Sequence, residues 1–149
     1  LGAGVSLLWL LEGMHADGVV TSVDFEAEHQ VIAREAAAAA EINPNRYRLI
    51  NGRIDEVLER LTEGGYDIAL ISSRLADLER HIAAALKLLR PGGLLVIDQA
   101  LWRDRIADPS QRDADTVAMR AAHDVVRGHD ALTSALLPVG NGLLVAVTS

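Results

Sequence analysis

Cysteine is absent from this 149-residue chain. That excludes a disulfide framework and a thiolate nucleophile, and it is compatible with a reducing compartment. Aromatic residues are nearly missing as well, at 3%. The apolar half of the composition is therefore aliphatic, the material of buried parallel strands covered by Ala- and Leu-rich helices. No apolar run approaches the roughly 20 residues a bilayer crossing needs, and no charged-then-apolar leader opens the chain. Positive charge is in deficit, with a formal net charge of −7 and both signs interspersed. Phosphate-backbone binding needs a basic face, so nucleic acid is a poor partner. What remains is an acidic, cytoplasmic protein without a membrane or nucleic-acid partner. Its length suits one domain over residues 1–149 with a single core.

Turn residues punctuate the chain at regular intervals. Gly2 and Gly4 precede a helix from Ser6 to Met14 that is apolar on most faces, with Trp9 read as core. Asp17-Gly18 leads into a strand, Val19 to Val23, ending at Asp24. A helix rich in Ala and Glu runs from Glu26 to Ile42, where Asn43-Pro44-Asn45 stops it. Tyr47–Ile50 reads as a short strand, Ile54–Leu61 as a short helix and Tyr66–Ile71 as an apolar strand. Leu78, Ile82, Ala85, Leu86 and Leu89 then recur at helical spacing within Leu75–Leu89. Arg90-Pro91-Gly92-Gly93 ends that helix, and Leu94–Ile97 is a further apolar strand. A polar loop from Trp102 to Arg112, a helix over about 113–126, and strands Thr133–Val139 and Leu143–Val147 complete the chain. Gly140-Asn141-Gly142 joins those last strands as a hairpin. Strands alternating with helices imply parallel pairing with right-handed crossovers, a doubly wound α/β sheet.

In such sheets ligands bind beyond the carboxyl ends of the strands. Four strand ends are candidates: the turn Gly2–Ser6, Asp24, Gly52-Arg53 and Ser72-Ser73. Glycines before a helix let a backbone approach a ligand and aim N–H groups at it, though a lone G-x-G is common. Asp24 follows at the end of the next strand, about 20 residues on, where a carboxylate accepts hydrogen bonds from both ribose hydroxyls. The same side chain could equally cap the helix that follows. Together the two features suggest an adenosine-bearing cofactor. A dinucleotide fingerprint needs a third glycine, and neither Ser6 nor Leu7 supplies it. The closing antiparallel hairpin also argues against a nicotinamide domain.

Six segments then carry a resemblance along the whole chain. They are Gly-Ala-Gly-Val-Ser-Leu-Leu-Trp-Leu (2–10), Val-Asp-Phe-Glu-Ala-Glu-His (23–29), Leu-Leu-Arg-Pro-Gly-Gly-Leu-Leu-Val (88–96), Ala-Asp-Pro (107–109), Arg-Asp-Ala-Asp-Thr-Val-Ala-Met-Arg (112–120) and Leu-Leu-Pro-Val-Gly-Asn-Gly-Leu (136–143). In that order they resemble the catechol and caffeoyl-CoA type of class I O-methyltransferases, bacterial members especially. The resemblance implies a Rossmann-like methyltransferase sheet, mostly parallel with a C-terminal antiparallel hairpin. It also implies S-adenosylmethionine as cofactor, a small-molecule hydroxyl as acceptor, and a homodimer. By position, Gly2, Gly4 and Ser6 would contact the methionine moiety and Asp24 the ribose. Phe25 would flank the adenine, with Gly52, Arg53 and Ile54 on its other side, and Ser72 would lie beside the sulfonium. A first strand with an acidic residue near its end, and N-terminal helices, would precede Leu1.

Departures from the family pattern fall where its metal and base belong. The family's Ile-Asp-Ala-Asp-Lys is Ile71-Ser72-Ser73-Arg74-Leu75 here, and its Asp-Asn is Asp98-Gln99. The first carboxylate is therefore replaced by Ser72 and the lysine proposed as base by Leu75. Asp98 is the one carboxylate left to serve a metal, and its other role is to bond the loop that follows. Magnesium wants one or two carboxylates plus oxygens in octahedral geometry, so this set is weak and a divalent metal is doubtful. The catalytic base is unassigned. His29, His81 and His123 fall inside predicted helices, and His15 and His129 near helix ends, which reads as structural or solvated. Trp102 and Arg103 sit over the presumed acceptor pocket, where they would form its wall or, alternatively, part of an interface. The alternative is a protein that binds S-adenosylmethionine without turnover.

Overall fold

A computed structural model describes residues 4–72 and 74–149 of the chain. Gly2 and Ser73, both named above, lie outside the described residues. The chain divides into two compact units, Leu1–Arg60 and Leu61–Ser149. Each has its own hydrophobic core.

In the first unit the order is α1 (Val5–Gly13), β1 (Val20–Asp24), α2 (Ala27–Ala39), β2 (Tyr47–Asn51) and α3 (Ile54–Leu58). β1 and β2 pair in parallel, with Val20 opposite Tyr47 and Asp24 opposite Asn51, so their carboxyl ends finish level. Leu7 and Leu11 of α1 are buried with Val20 and Ala33 in this unit's core. Trp9 is not core: it is 74% exposed. Two residues further along a helix is about 200° around it, so burying Leu7 and Leu11 turns Trp9 to the opposite face.

Helix α2 stops at Ala39, three residues short of the expected Ile42. Glu41 adopts φ 55°. Its N–H donates to Ala38 O, and the Ile42 N–H donates to Ala37 O. This crossed pair of bonds is the Schellman closure, built here on a glutamate instead of the usual glycine. Ile42 then packs back on the core.

The second unit contains β3 (Tyr66–Ile71), α4 (Leu78–Leu88), β4 (Leu89–Asp98), α5 (Ala114–Gly128), β5 (Leu132–Leu137) and β6 (Leu143–Thr148). Its sheet runs β3-β4-β6-β5. β3 and β4 are parallel, and β6 is antiparallel to both β4 and β5. Ile82 and Ala85 from α4, and Met119, Ala122 and Val126 from α5, bury against Leu95, Ile97, Leu144 and Ala146 of the sheet. Removing these aliphatic surfaces from water is the main term holding the unit together.

Strand–helix alternation, parallel pairing and the terminal antiparallel hairpin are all present, so the expected α/β class holds. Two local readings need correction. α4 ends at Leu88, and Arg90–Gly93 lies within β4 instead of closing the helix. Pairing steps from Tyr66–Leu89 to Ile68–Leu94, so these four residues bulge opposite Asp67 alone. Gly92 takes φ 73° there, and Arg90 Nε donates to Asp67 Oδ1 at 2.6 Å. The hairpin loop is also longer than its three-residue motif. Leu137 pairs with Leu143, leaving residues 138–142 between the strands.

Candidate functional site

The carboxyl ends of β1 and β2 are joined by a compact set of bonds. Gly52 N–H donates to Asp24 O at 3.1 Å. Asn51 Nδ2 donates to the backbone oxygens of Asp24 (3.3 Å) and Phe25 (3.2 Å). Asp24 Oδ1 accepts the Glu26 N–H at 2.9 Å, and Oδ2 accepts from His29 Nδ1 at 3.1 Å. The Asp24 side chain is 13% exposed and that of His29 45%. A carboxylate offers about four acceptor positions, so closing the start of α2 and accepting from a ligand do not exclude each other.

Around this carboxylate the other expected residues of the first unit take their places. Phe25 follows directly and is 52% exposed, an unusual position for the chain's one phenylalanine. Gly52 and half-buried Ile54 flank Arg53, which precedes α3 and pairs with Glu56 at 3.4 Å. A Cβ on Gly52 would meet Val57 Cγ2 at 3.2 Å. Gly4 caps α1 at φ 86°, and Ser6 stands in the first turn of that helix, half-buried. A side chain on Gly4 would strike Ala33 Cα at 2.9 Å. Ala33 is one turn along α2 from His29 and on the same stripe. The Gly4 turn and the Asp24–His29 pair therefore adjoin neighbouring turns of one helix face.

His29 was read from the sequence as structural or solvated, and Asn51 was not singled out. Spacing held the signal for both. His29 lies five residues past the strand-end acid, in the first turn of the next helix, and Asn51 is the residue registered opposite Asp24.

In the second unit Ser72 follows β3 and is exposed. Asp98 ends β4, and its Oδ1 accepts the Gln99 N–H at 2.8 Å. Gln99 Oε1 accepts from Asn141 Nδ2 at 2.8 Å, and Asn141 Oδ1 accepts the Arg103 N–H at 2.6 Å. The amide that replaces the family's asparagine thus clamps the 138–142 loop. A hydroxyl, one carboxylate bonded to its own neighbour, and an amide bonded to a loop do not make the oxygen set magnesium demands. The donor chemistry does not fit the family's metal. Among the described residues no group of three His, Cys, Asp or Glu side chains gathers around a common point.

Trp102, Arg103 and Asp104 all have positive φ, between 48° and 61°, after Gln99 at 62°. The loop that follows is organised by Arg120 of α5. Its guanidinium donates to the carbonyls of Arg105, Ile106, Asp108 and Gln111. Asp108 accepts from the Ser110 hydroxyl and N–H and from Gln111, which hold its carboxyl below the usual carboxylate range. Asp113 is lowered likewise by the Thr116 hydroxyl and N–H that it caps. His123 is buried, with Nε2 against Ala100 O at 2.8 Å, a structural role as expected.

These features define an α/β protein of Rossmann-like class with a candidate ligand site at the carboxyl ends of β1 and β2. A family model described as O-methyltransferase matches residues 2–148. The chain belongs to that family. It is 47% identical over 146 residues to the "Probable O-methyltransferase Rv1220c" of Mycobacterium tuberculosis H37Rv, covering 98% of this chain and 65% of that protein. The chain thus spans just under two thirds of that relative. A crystal structure of a Corynebacterium glutamicum protein superposes with a TM-score of 0.93 at 35% identity, over 99% of this chain and 68% of that one. The O-methyltransferase TomG of Streptomyces achromogenes, solved in complex with SAM, gives 0.87 at 24% identity, over 99% and 69%. This last likeness is one of fold.

Proposed function

We propose that residues 1–149 form one methyltransferase domain that binds S-adenosylmethionine and transfers its methyl group to a hydroxyl of a small molecule. The observation that carries the reading is Asp24, a strand-end carboxylate held in place beside exposed Phe25, its backbone oxygen accepting the Gly52 N–H. In this reading Asp24 accepts from the ribose hydroxyls. Phe25 covers one adenine face, while Gly52, Arg53 and Ile54 line the other. Gly2, Gly4 and Ser6 hold the methionine end, and Ser72 faces the sulfonium. When bound, the cofactor supplies an electrophilic methyl on a sulfonium. The chain's own contribution is to orient that methyl in line with an acceptor oxygen, and positioning alone lowers the barrier substantially.

The Ser72, Asp98 and Gln99 set supports transfer without the family's metal. Titration calorimetry with S-adenosylmethionine tests both points. Binding with a 1:1 stoichiometry, unchanged by magnesium or EDTA and weakened at least tenfold by Asp24→Asn, is expected. No binding at millimolar donor would defeat the assignment. The replacement of the family's lysine by Leu75 favours one other reading, a binder without turnover, and a methylated product in an acceptor screen eliminates it. The reading extends to a cytoplasmic homodimer that engages neither nucleic acid nor membrane. Its support is the family resemblance, the net charge of −7, and the lack among the described residues of any helix long and apolar enough to cross a membrane. Sedimentation velocity tests the dimer.

A further inference from the structure

We infer that His29 is a positioning residue for the Asp24 carboxylate and, through it, for the cofactor ribose. The inference rests on the reading of Asp24 given above. The Glu26 N–H donates to Oδ1 of this carboxylate at 2.9 Å. A donor on the other oxygen, His29 Nδ1 at 3.1 Å, resists rotation of the group about its Cβ–Cγ bond. Two donors on two oxygens fix the plane of the group. Bidentate acceptance from adjacent ribose hydroxyls requires that plane to be set before the ligand arrives, because ordering it on binding costs affinity.

The helix makes the arrangement stiff. His29 sits in the first turn of α2, and Ala33, one turn on along the same stripe, is packed against Gly4. Because Asp24 is the acceptor, Nδ1 of His29 carries the proton in this pair. An asparagine places its amide nitrogen at the same distance from the backbone as Nδ1, whereas glutamine places it one bond further out.

The test is titration of the full protein with S-adenosylhomocysteine and with its analogue lacking both ribose hydroxyls. His29→Leu and His29→Gln should bind S-adenosylhomocysteine about tenfold more weakly, the scale of one hydrogen bond to a charged group. His29→Asn should stay within about twofold of the native protein. For the analogue without hydroxyls, all four proteins should bind alike. Native affinity in His29→Leu, or an equal loss for both ligands, overturns the inference and leaves the Asp24 reading intact. Should His29→Leu not fold, Asn against Gln still decides. Failure of the native protein to bind S-adenosylhomocysteine defeats the Asp24 reading itself, and the inference with it.

Discussion

Arg120 offers the sharpest test of how the second unit is held. Its guanidinium reaches four backbone carbonyls across residues 105–111, and no other side chain spans that loop so widely among the described residues. The bonds to Arg105 and Asp108 are exposed, so water replaces them at little cost in Arg120→Met. The bonds to Ile106 (3.0 Å) and Gln111 (2.7 Å) are part-buried. Each hydrogen bond from a charged donor contributes about 1.5–3 kcal/mol when well formed, and partial solvation trims that toward the lower end. A loss of about 2–4 kcal/mol follows for Arg120→Met, a large share of the 5–15 kcal/mol that typically holds a domain. Arg120→Lys should recover less than half, because an ammonium is a point donor and cannot fork across the loop. Urea unfolding followed by tryptophan fluorescence gives the global figure. Trypsin cleavage at Arg103, Arg105 and Arg112 gives the local one, since a loosened loop opens below the global transition. A loss under about 0.5 kcal/mol with no faster cleavage would refute the reasoning, for it would mean the carbonyls are as well served by water.

Two further outcomes follow from the same unit. A Cβ on Gly142, at φ 87°, would stand 2.5 Å from Leu101 Cγ and 2.6 Å from Leu101 N. Gly142→Ala should therefore cost about 2–4 kcal/mol from left-handed strain plus overpacking. Gly140→Ala, with φ 56° and open space around it, should cost only about 1–2 kcal/mol, and equal urea midpoints for the two would contradict the packing argument. Asp108 and Asp113 have lowered folded-state pKa values through Ser110 and Thr116. Their contribution is thus complete above the ordinary aspartate value of about 3.9 and is lost as pH falls below it through the lowered folded values. A urea midpoint measured against pH should drop below that point, and drop less in the Asp108→Asn, Asp113→Asn double variant.

Much of this architecture was legible because each βα unit announces itself by an apolar run, a turn and a spaced helix face. Leu78, Ile82 and Ala85 were identifiable as core from spacing alone, since the faces of α4 differ sharply in polarity. α1 defeated the same logic. With Val5, Leu7, Leu8, Trp9, Leu10 and Leu11 in one helix, every face is apolar, and only packing selects Leu7 and Leu11. Glu41 ends α2 in a conformation usually advertised by glycine, so the stop was invisible. Arg90-Pro91-Gly92-Gly93 was read as punctuation, but a bulge uses the same residues to let one strand continue. For the candidate site, the strand-end acid was evident from its distance to the glycine turn. His29 was not, because a histidine inside an Ala- and Glu-rich helix looks solvated until the fold turns it toward Asp24.

Gly142 and Leu101 approach so closely that neither segment can be altered alone. Asn141 reinforces the constraint by bonding both Gln99 and Arg103, and the N–H groups of Ala100 and Leu101 donate to the Gly142 and Asn141 carbonyls. Anyone wishing to retool this end of the molecule would have to transplant 99–103 and 138–142 as a matched cassette. Natural variation faces the same rule, so exchanges in one stretch should arrive accompanied by exchanges in the other.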